Sequence, residues 1–262
     1  MSSPTSAMVL LTDFGLSDPF VGVMKGVLLG RAPGVPVVDL THGIAPQDVR
    51  QAAFALLEAV PYFPEGSLFV CVVDPGVGSG RRILWARGDR HQFLAPDNGL
   101  LSWVGRRERL RELRAVTRSA LFLKPLSRTF HGRDVFAPVA AALARGAAPE
   151  SLGPRVPSLK RLAFPAPRRA GGKVRGEILA IDRFGNAITS LTPRDLPPRA
   201  RLRHRGVALG PLRTHYAQAR AGGLVALTGS SGHVELSVRG GSFARVAGAR
   251  VGDPIEGVTH GR

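Results

Sequence analysis

The chain is poor in residues that cross-link, anchor or stack. It has one cysteine, Cys71, so an intrachain disulfide and every multi-cysteine zinc or iron–sulfur site are excluded, as expected in a reducing compartment. No apolar run reaches the ~20 residues needed to cross a bilayer, and the N-terminus has no basic segment followed by an apolar stretch. The chain therefore reads as cytoplasmic, with no membrane partner. Aromatics make up only 6%, and lysine is confined to Lys25, Lys124, Lys160 and Lys173. Acidic residues are few too, 19 against 36 Lys+Arg, which leaves a formal charge of +17.

Such a charge points first to a polyanion. The arginines gather in Arg106–Arg118, Arg155–Arg175 and Arg199–Arg220, among prolines and glycines and without interleaved aromatics to stack bases. They are read as a solvated basic surface, and no nucleic-acid partner is expected. Arginine in place of lysine, together with 21 prolines, fits a thermophilic source. What is present in quantity is ordinary globular material: 44% hydrophobic and 21% charged residues over 262 positions, enough for one large domain or two of common size.

Strand and helix patterns alternate through the first half. Residues 7–12 and 35–40 and Ser67–Val73 read as strands, Val21–Arg31 and Pro46–Tyr62 as helices, and Arg82–Arg87 with Gln92–Ala95 as a hairpin around Gly88 and Asp89. This predicts an α/β layer with a mostly parallel sheet and flanking helices, whose site forms beyond the C-terminal strand ends. Asp13, His42 and Asp74 stand near such ends. From Pro149 to Arg175 the composition is that of a linker. Short strands separated by turns follow, at 176–182, 187–191, 225–227, 233–238 and 252–258, predicting a small β domain, barrel or sandwich.

Four segments could carry chemistry. Asp13 and Asp18 follow the first strand and could accept from ribose hydroxyls, or only cap and turn the chain before the next helix. Asp74-Pro75-Gly76-Val77-Gly78-Ser79-Gly80-Arg81 sets an acid and an arginine at the two ends of a glycine-rich loop; the spacing fits neither a phosphate-binding loop nor a dinucleotide fingerprint. A surface Asp–Arg pair is the plain alternative. His131, between Phe130 and Gly132, precedes a helix over Val135–Arg145 and is placed to face a pocket. In Asp182-Arg183-Phe184-Gly185-Asn186, the amide of Asn186 offers donors and an acceptor to a zwitterion or a base.

Together these segments resemble the S-adenosylmethionine hydroxide adenosyltransferases, whose relatives include fluorinating and chlorinating enzymes. The likeness rests on TDFG at Thr12–Gly15, DLTHGI at Asp39–Ile44, VVDPGVG at Val72–Gly78 with Arg81 and Arg82, APDNGLL at Ala95–Leu101, TFHGRD at Thr129–Asp134, DRFGNAITS at Asp182–Ser190, and Gly240-Gly241-Ser242 with Val251-Gly252-Asp253. In order, they run through nearly the whole chain. The resemblance implies an α/β domain with the catalytic triad over residues 1–165 and a β-barrel domain over 166–262 that contributes to the substrate site. It also implies a homotrimer with active sites between subunits and hydrolysis of S-adenosylmethionine to adenosine and methionine, without metal or cofactor. By the same resemblance Asp74, Arg81 and His131 form the hydrolase triad and Asp13 binds the ribose. Asp18, Asp182 and Asn186 lie near the methionine part, Phe130 and Gly132 flank the sulfonium and C5′, Ser230 is a further substrate contact, and the backbone at Gly240 reads adenine. The chain departs from the pattern at Gly229, His233 and Arg239, where relatives more often carry Asn, an aromatic and Asn.

In the related halogenases the positions of Asp74 and His131 resemble tyrosines and that of Gly132 a serine. A halide beside Asp74 would be repelled, so water is the expected nucleophile. A methyltransferase is not expected, because the chain has no glycine-rich strand–loop–helix signature. A non-catalytic nucleoside- or RNA-binding protein is the alternative from another class.

Overall fold

The computed structural model describes residues 5–258. Residues 1–4 and 259–262 lie outside the described residues, and with them the outer ends of the two expected domains and the start of the N-terminal segment. The chain forms two compact units that meet in sequence between Ala163 and Phe164. No helix among the described residues is long and apolar enough to cross a membrane.

The first unit contains β1 (Met8–Thr12), α1 (Phe20–Arg31), β2 (Val37–Thr41), α2 (Val49–Ala59), β3 (Leu68–Val72), β4 (Ile83–Arg87), β5 (Gln92–Pro96), β6 (Glu112–Ala115) and α3 (Ala137–Ala144). β1 and β3 are buried at every position. Alternation with a period of two sorts their side chains into two cores. Met8, Leu10, Leu68 and Val70 pack with Met24 and Leu28 of α1 and Val139 of α3. Val9, Leu11, Phe69 and Cys71 pack with Ala52 and Leu56 of α2. Burying each such leucine contributes about 1.5–3 kcal/mol. Burial also pushes the Cys71 thiol pKa up, away from a reactive thiolate.

The strand order is β2-β1-β3-β5-β4-β6. Pairing is parallel from β2 to β5 and antiparallel from β5 through β4 to β6, so the expected mostly parallel sheet is corrected to a mixed one. The cause is local. Gly88 and Asp89 turn β4 directly into β5, and strands joined by so short a turn must run antiparallel. The stretch with linker composition is also more ordered than its prolines suggest: Lys160 N–H donates to Asp97 Oδ1 (2.7 Å), Leu162 N–H to Ser102 Oγ (2.8 Å), and Trp103 Nε1–H to the Leu162 carbonyl (3.0 Å). It is a strap on the first unit.

The second unit contains β7 (Arg168–Ala170), β8 (Lys173–Ile181), β9 (Ala187–Thr189), β10 (Arg201–His204), β11 (Val207–Arg213), β12 (Leu224–Thr228), β13 (Val234–Val238), α4 (Phe243–Ala247) and β14 (Pro254–Val258). The order β14-β10-β11-β12-β13-β9-β8 closes because β14 also pairs with β8, giving the expected barrel with β7 appended. Closure leaves a free edge only at the short appended β7.

Candidate functional site

The loops after β1, β2 and β3 converge at one end of the sheet. Thr12 is buried at the end of β1, and its hydroxyl lies 2.8 Å from His42 Nδ1. The His42 carbonyl accepts from Gly15 N–H (2.9 Å), and Gln47 N–H donates to Asp13 Oδ2 (2.7 Å). Gln47 makes that bond from a φ of 65°, a left-handed conformation unusual for a residue with a side chain. Sequence reasoning missed Gln47 because a backbone donor carries no residue signature. His42 is further held by Asp39: its Nε2 lies 3.0 Å from Oδ1, and Lys25 Nζ lies 2.5 Å from Oδ2. Burial opposes ionisation of Asp39, but the bonds to His42 and Lys25 outweigh it and hold its pKa below the usual value.

At the end of β3, Asn98 Nδ2 donates to the Val73 carbonyl (2.8 Å) and fixes the exit of the strand into Asp74. The glycine loop folds back on itself, as its spacing suggests. Arg81 Nε lies 3.0 and 2.9 Å from the two Asp74 oxygens, and Arg81 Nη2 donates to Oδ2 as well. Both side chains are less than a tenth exposed, so this is no solvated surface pair. Arg81 Nη2 also lies 2.9 Å from His131 Nδ1. A guanidinium only donates, so Nδ1 accepts and the ring proton of neutral His131 sits on Nε2. Burial, followed by the Arg81 charge, lowers the His131 pKa and favours that neutral form.

His131 precedes a π-helical turn, Gly132–Phe136, that leads into α3; such wide turns concentrate at functional sites. Buried Asp134 anchors the turn. Its carboxylate accepts from Ser127 N–H (2.7 Å) and Arg133 Nε (2.6 Å), and these bonds outweigh burial to keep its pKa low. Phe130 stands edge-on to Phe14 and Phe20, with centroids 5.9 and 5.1 Å away. Gly132 lies beneath them, where a Cβ would meet Met24 Sδ at 3.0 Å and the Phe14 ring at 3.2 Å.

Asp13, Asp74, Phe130, His131 and Gly132 line one cavity of about 330 Å³. Arg81 stands behind it, holding Asp74 and His131. Asp18 is exposed and outside the lining. A second cavity of about 580 Å³, within the barrel unit, is lined by Asn186 and Gly240 together with Phe184, Tyr216, Ser242 and Arg245. Asp182 does not line it. Its carboxylate accepts from Phe184 N–H, Asn186 N–H and Asn186 Nδ2 (2.9, 2.8 and 2.9 Å), so it shapes the turn that presents Asn186. Ser230 is exposed beyond the end of β12 and also lies outside the lining. Tyr216, which sequence reasoning passed over, donates to buried Glu235 (2.6 Å), and burial followed by that carboxylate pushes its hydroxyl pKa up to about 12. A larger cavity than the triad's, about 450 Å³, lies at the opposite, N-terminal ends of β3 and β5, away from this chemistry. Among the described residues no cluster of three or more His, Cys, Asp and Glu side chains could hold a metal ion.

Residues 8–153 match the model of the SAM hydroxide adenosyltransferase N-terminal domain, and residues 176–256 that of the C-terminal domain. The chain belongs to the SAM hydroxide adenosyltransferase family. A family member from Thermus thermophilus, an (R)-S-adenosyl-L-methionine hydrolase, is 46% identical over 94% of this chain and 96% of its own. A crystal structure of an uncharacterized conserved protein from Thermotoga maritima, 34% identical, superposes with a TM-score of 0.90 over 96% of this chain and all of that one. A fluorinase from an Actinoplanes strain is more distant, 29% identical over 72% of each chain.

Proposed function

We propose that the protein hydrolyses S-adenosyl-L-methionine to adenosine and L-methionine, with water attacking the ribose C5′. The observation that carries this reading is the Asp74–Arg81–His131 set at the wall of a cavity that also presents Asp13. The sulfonium is its own leaving group, so the reaction needs a placed nucleophile and neither metal nor cofactor. Asp74 orients the water and takes its proton. Arg81, held by His131, fixes the carboxylate so that the water lies in line with the C5′–S bond. In-line positioning can supply several kcal/mol, up to about 7–11. Asp13 accepts from the ribose hydroxyls, and the Phe130 side chain at the cavity wall packs beside the sulfonium. A carboxylate at this wall repels a halide, which favours water over halogenation.

In the same reading the chain acts in the cytoplasm as a homotrimer. Asn186 then meets the methionine part and the Gly240 backbone the adenine, at subunit interfaces. Incubation with S-adenosyl-L-methionine followed by chromatography tests the reading. Adenosine and methionine in equal amounts support it; S-adenosylhomocysteine, a 5′-halogenated nucleoside or unchanged substrate would each overturn it.

A further inference from the structure

A separate cavity of about 290 Å³ lies on the far side of the triad, lined by Gly80, Arg81, Thr117, Phe122, Leu126 and His131 over a floor that includes Ile83, Ala115, Val116 and Val135. Asp74 lines only the front cavity and Arg81 only this rear one, while His131 lines both. The three linked side chains are therefore a partition with one face to each space. The rear floor is buried and apolar, whereas Gly80, Thr117 and Leu126 at its rim are exposed. Once substrate occupies the front cavity, bulk water is displaced from the face of Asp74 that it must reach, yet every turnover consumes one water.

We propose that the rear cavity is a solvent inlet that delivers the water nucleophile to Asp74 behind bound substrate, with the His131 side chain as the gate between the two spaces. This rests on the hydrolase reading above. Arg81, Arg82, Thr117 and His131 give water polar partners along the wall of this cavity, while its apolar floor offers none that would hold it in place. Hydrogen bonds to Arg81 Nη2 and to the Ser127 backbone hold the His131 ring between the two spaces, and a rotation of the ring that releases them would open the way. The oxygen that enters forms its bond to C5′ as the C5′–S bond breaks. The bonding pair leaves with the methionine sulfur, and the O–H proton passes to Asp74 and on to solvent.

Leu126 provides the test, since it is 48% exposed at the rim and does not touch the front cavity. Leu126→Trp narrows the mouth and is expected to lower kcat about tenfold with KM for S-adenosyl-L-methionine unchanged. Leu126→Ala widens it and, with methanol in the buffer, is expected to raise the ratio of 5′-O-methyladenosine to adenosine above that of the unaltered protein. Wild-type kcat in the first variant and a wild-type ratio in the second would overturn the inlet, as would a raised KM with kcat unchanged. Adenosine formation by the unaltered protein keeps these failures distinct from failure of the hydrolase reading.

Discussion

A Cβ on Gly78 would run into the backbone carbonyl oxygen of Arg128. The glycine loop that carries Asp74 and Arg81 is thereby laid against the segment that carries His131, and the close backbone approach its glycines permit is to the chain itself. Gly78 also has a φ of +77°, which an L side chain adopts only with strain. Gly78→Ala is expected to destabilise the fold by about 1–3 kcal/mol and to lower turnover by separating Arg81 from His131. Thermal unfolding and steady-state kinetics check both.

Asp74 is the only triad member with a carboxylate on the front cavity. Asp74→Asn keeps the shape and removes the base, so adenosine formation should fall by roughly 10²–10⁴-fold, the usual range for general-base help, while KM changes little. Unchanged turnover would remove this role.

His131 sets a pH limit. The neutral ring accepts from Arg81, and burial and Arg81 together hold its pKa below the ordinary 6.5. Activity should therefore persist as pH falls past 6.5 and decline only at the lower folded-state value. The same shift makes the fold less stable as pH falls through that window, since the unfolded chain takes up the proton first. The acid limb of kcat/KM measures the value, and a midpoint at or above 6.5 would contradict the assignment.

Asp182 organises rather than lines its cavity, because its carboxylate accepts from two backbone N–H groups and the Asn186 amide. Asp182→Ala frees the turn and misdirects Asn186. KM for S-adenosyl-L-methionine should rise while kcat is largely retained; a loss confined to kcat would place Asp182 in the chemistry instead.

The sequence exposed those features that local patterns encode. β1 and β3 are legible as short apolar runs, α2 by its one-sided apolar spacing, and the meeting of Asp74, Arg81 and His131 by motifs whose order survives without any geometry. Strand order was only partly legible: the hairpin at Gly88 and Asp89 could be read, and with it one antiparallel pair, but not that β6 would add a second against β4 or that β5 would pair with β3. β10 was hidden in an arginine cluster, although the cluster alternates, with Arg201 and Arg203 exposed and Leu202 and His204 buried. The charge run was a strand with one wet face. Part of the basic excess is also paired internally, since buried Glu112 accepts from Arg87, Arg114 and Arg155 at 2.8, 2.7 and 3.0 Å. Gln47 and the rear cavity depend on backbone conformation and on packing between distant segments, which no local pattern records.

The central claim is that water attacks C5′ with methionine as the leaving group, and the fate of the water oxygen tests it most directly. Turnover in water enriched in a heavy oxygen isotope, followed by mass spectrometry, should place one heavy oxygen on the 5′ position of adenosine and none in methionine. Adenosine without the label, or label in the methionine, would contradict the account.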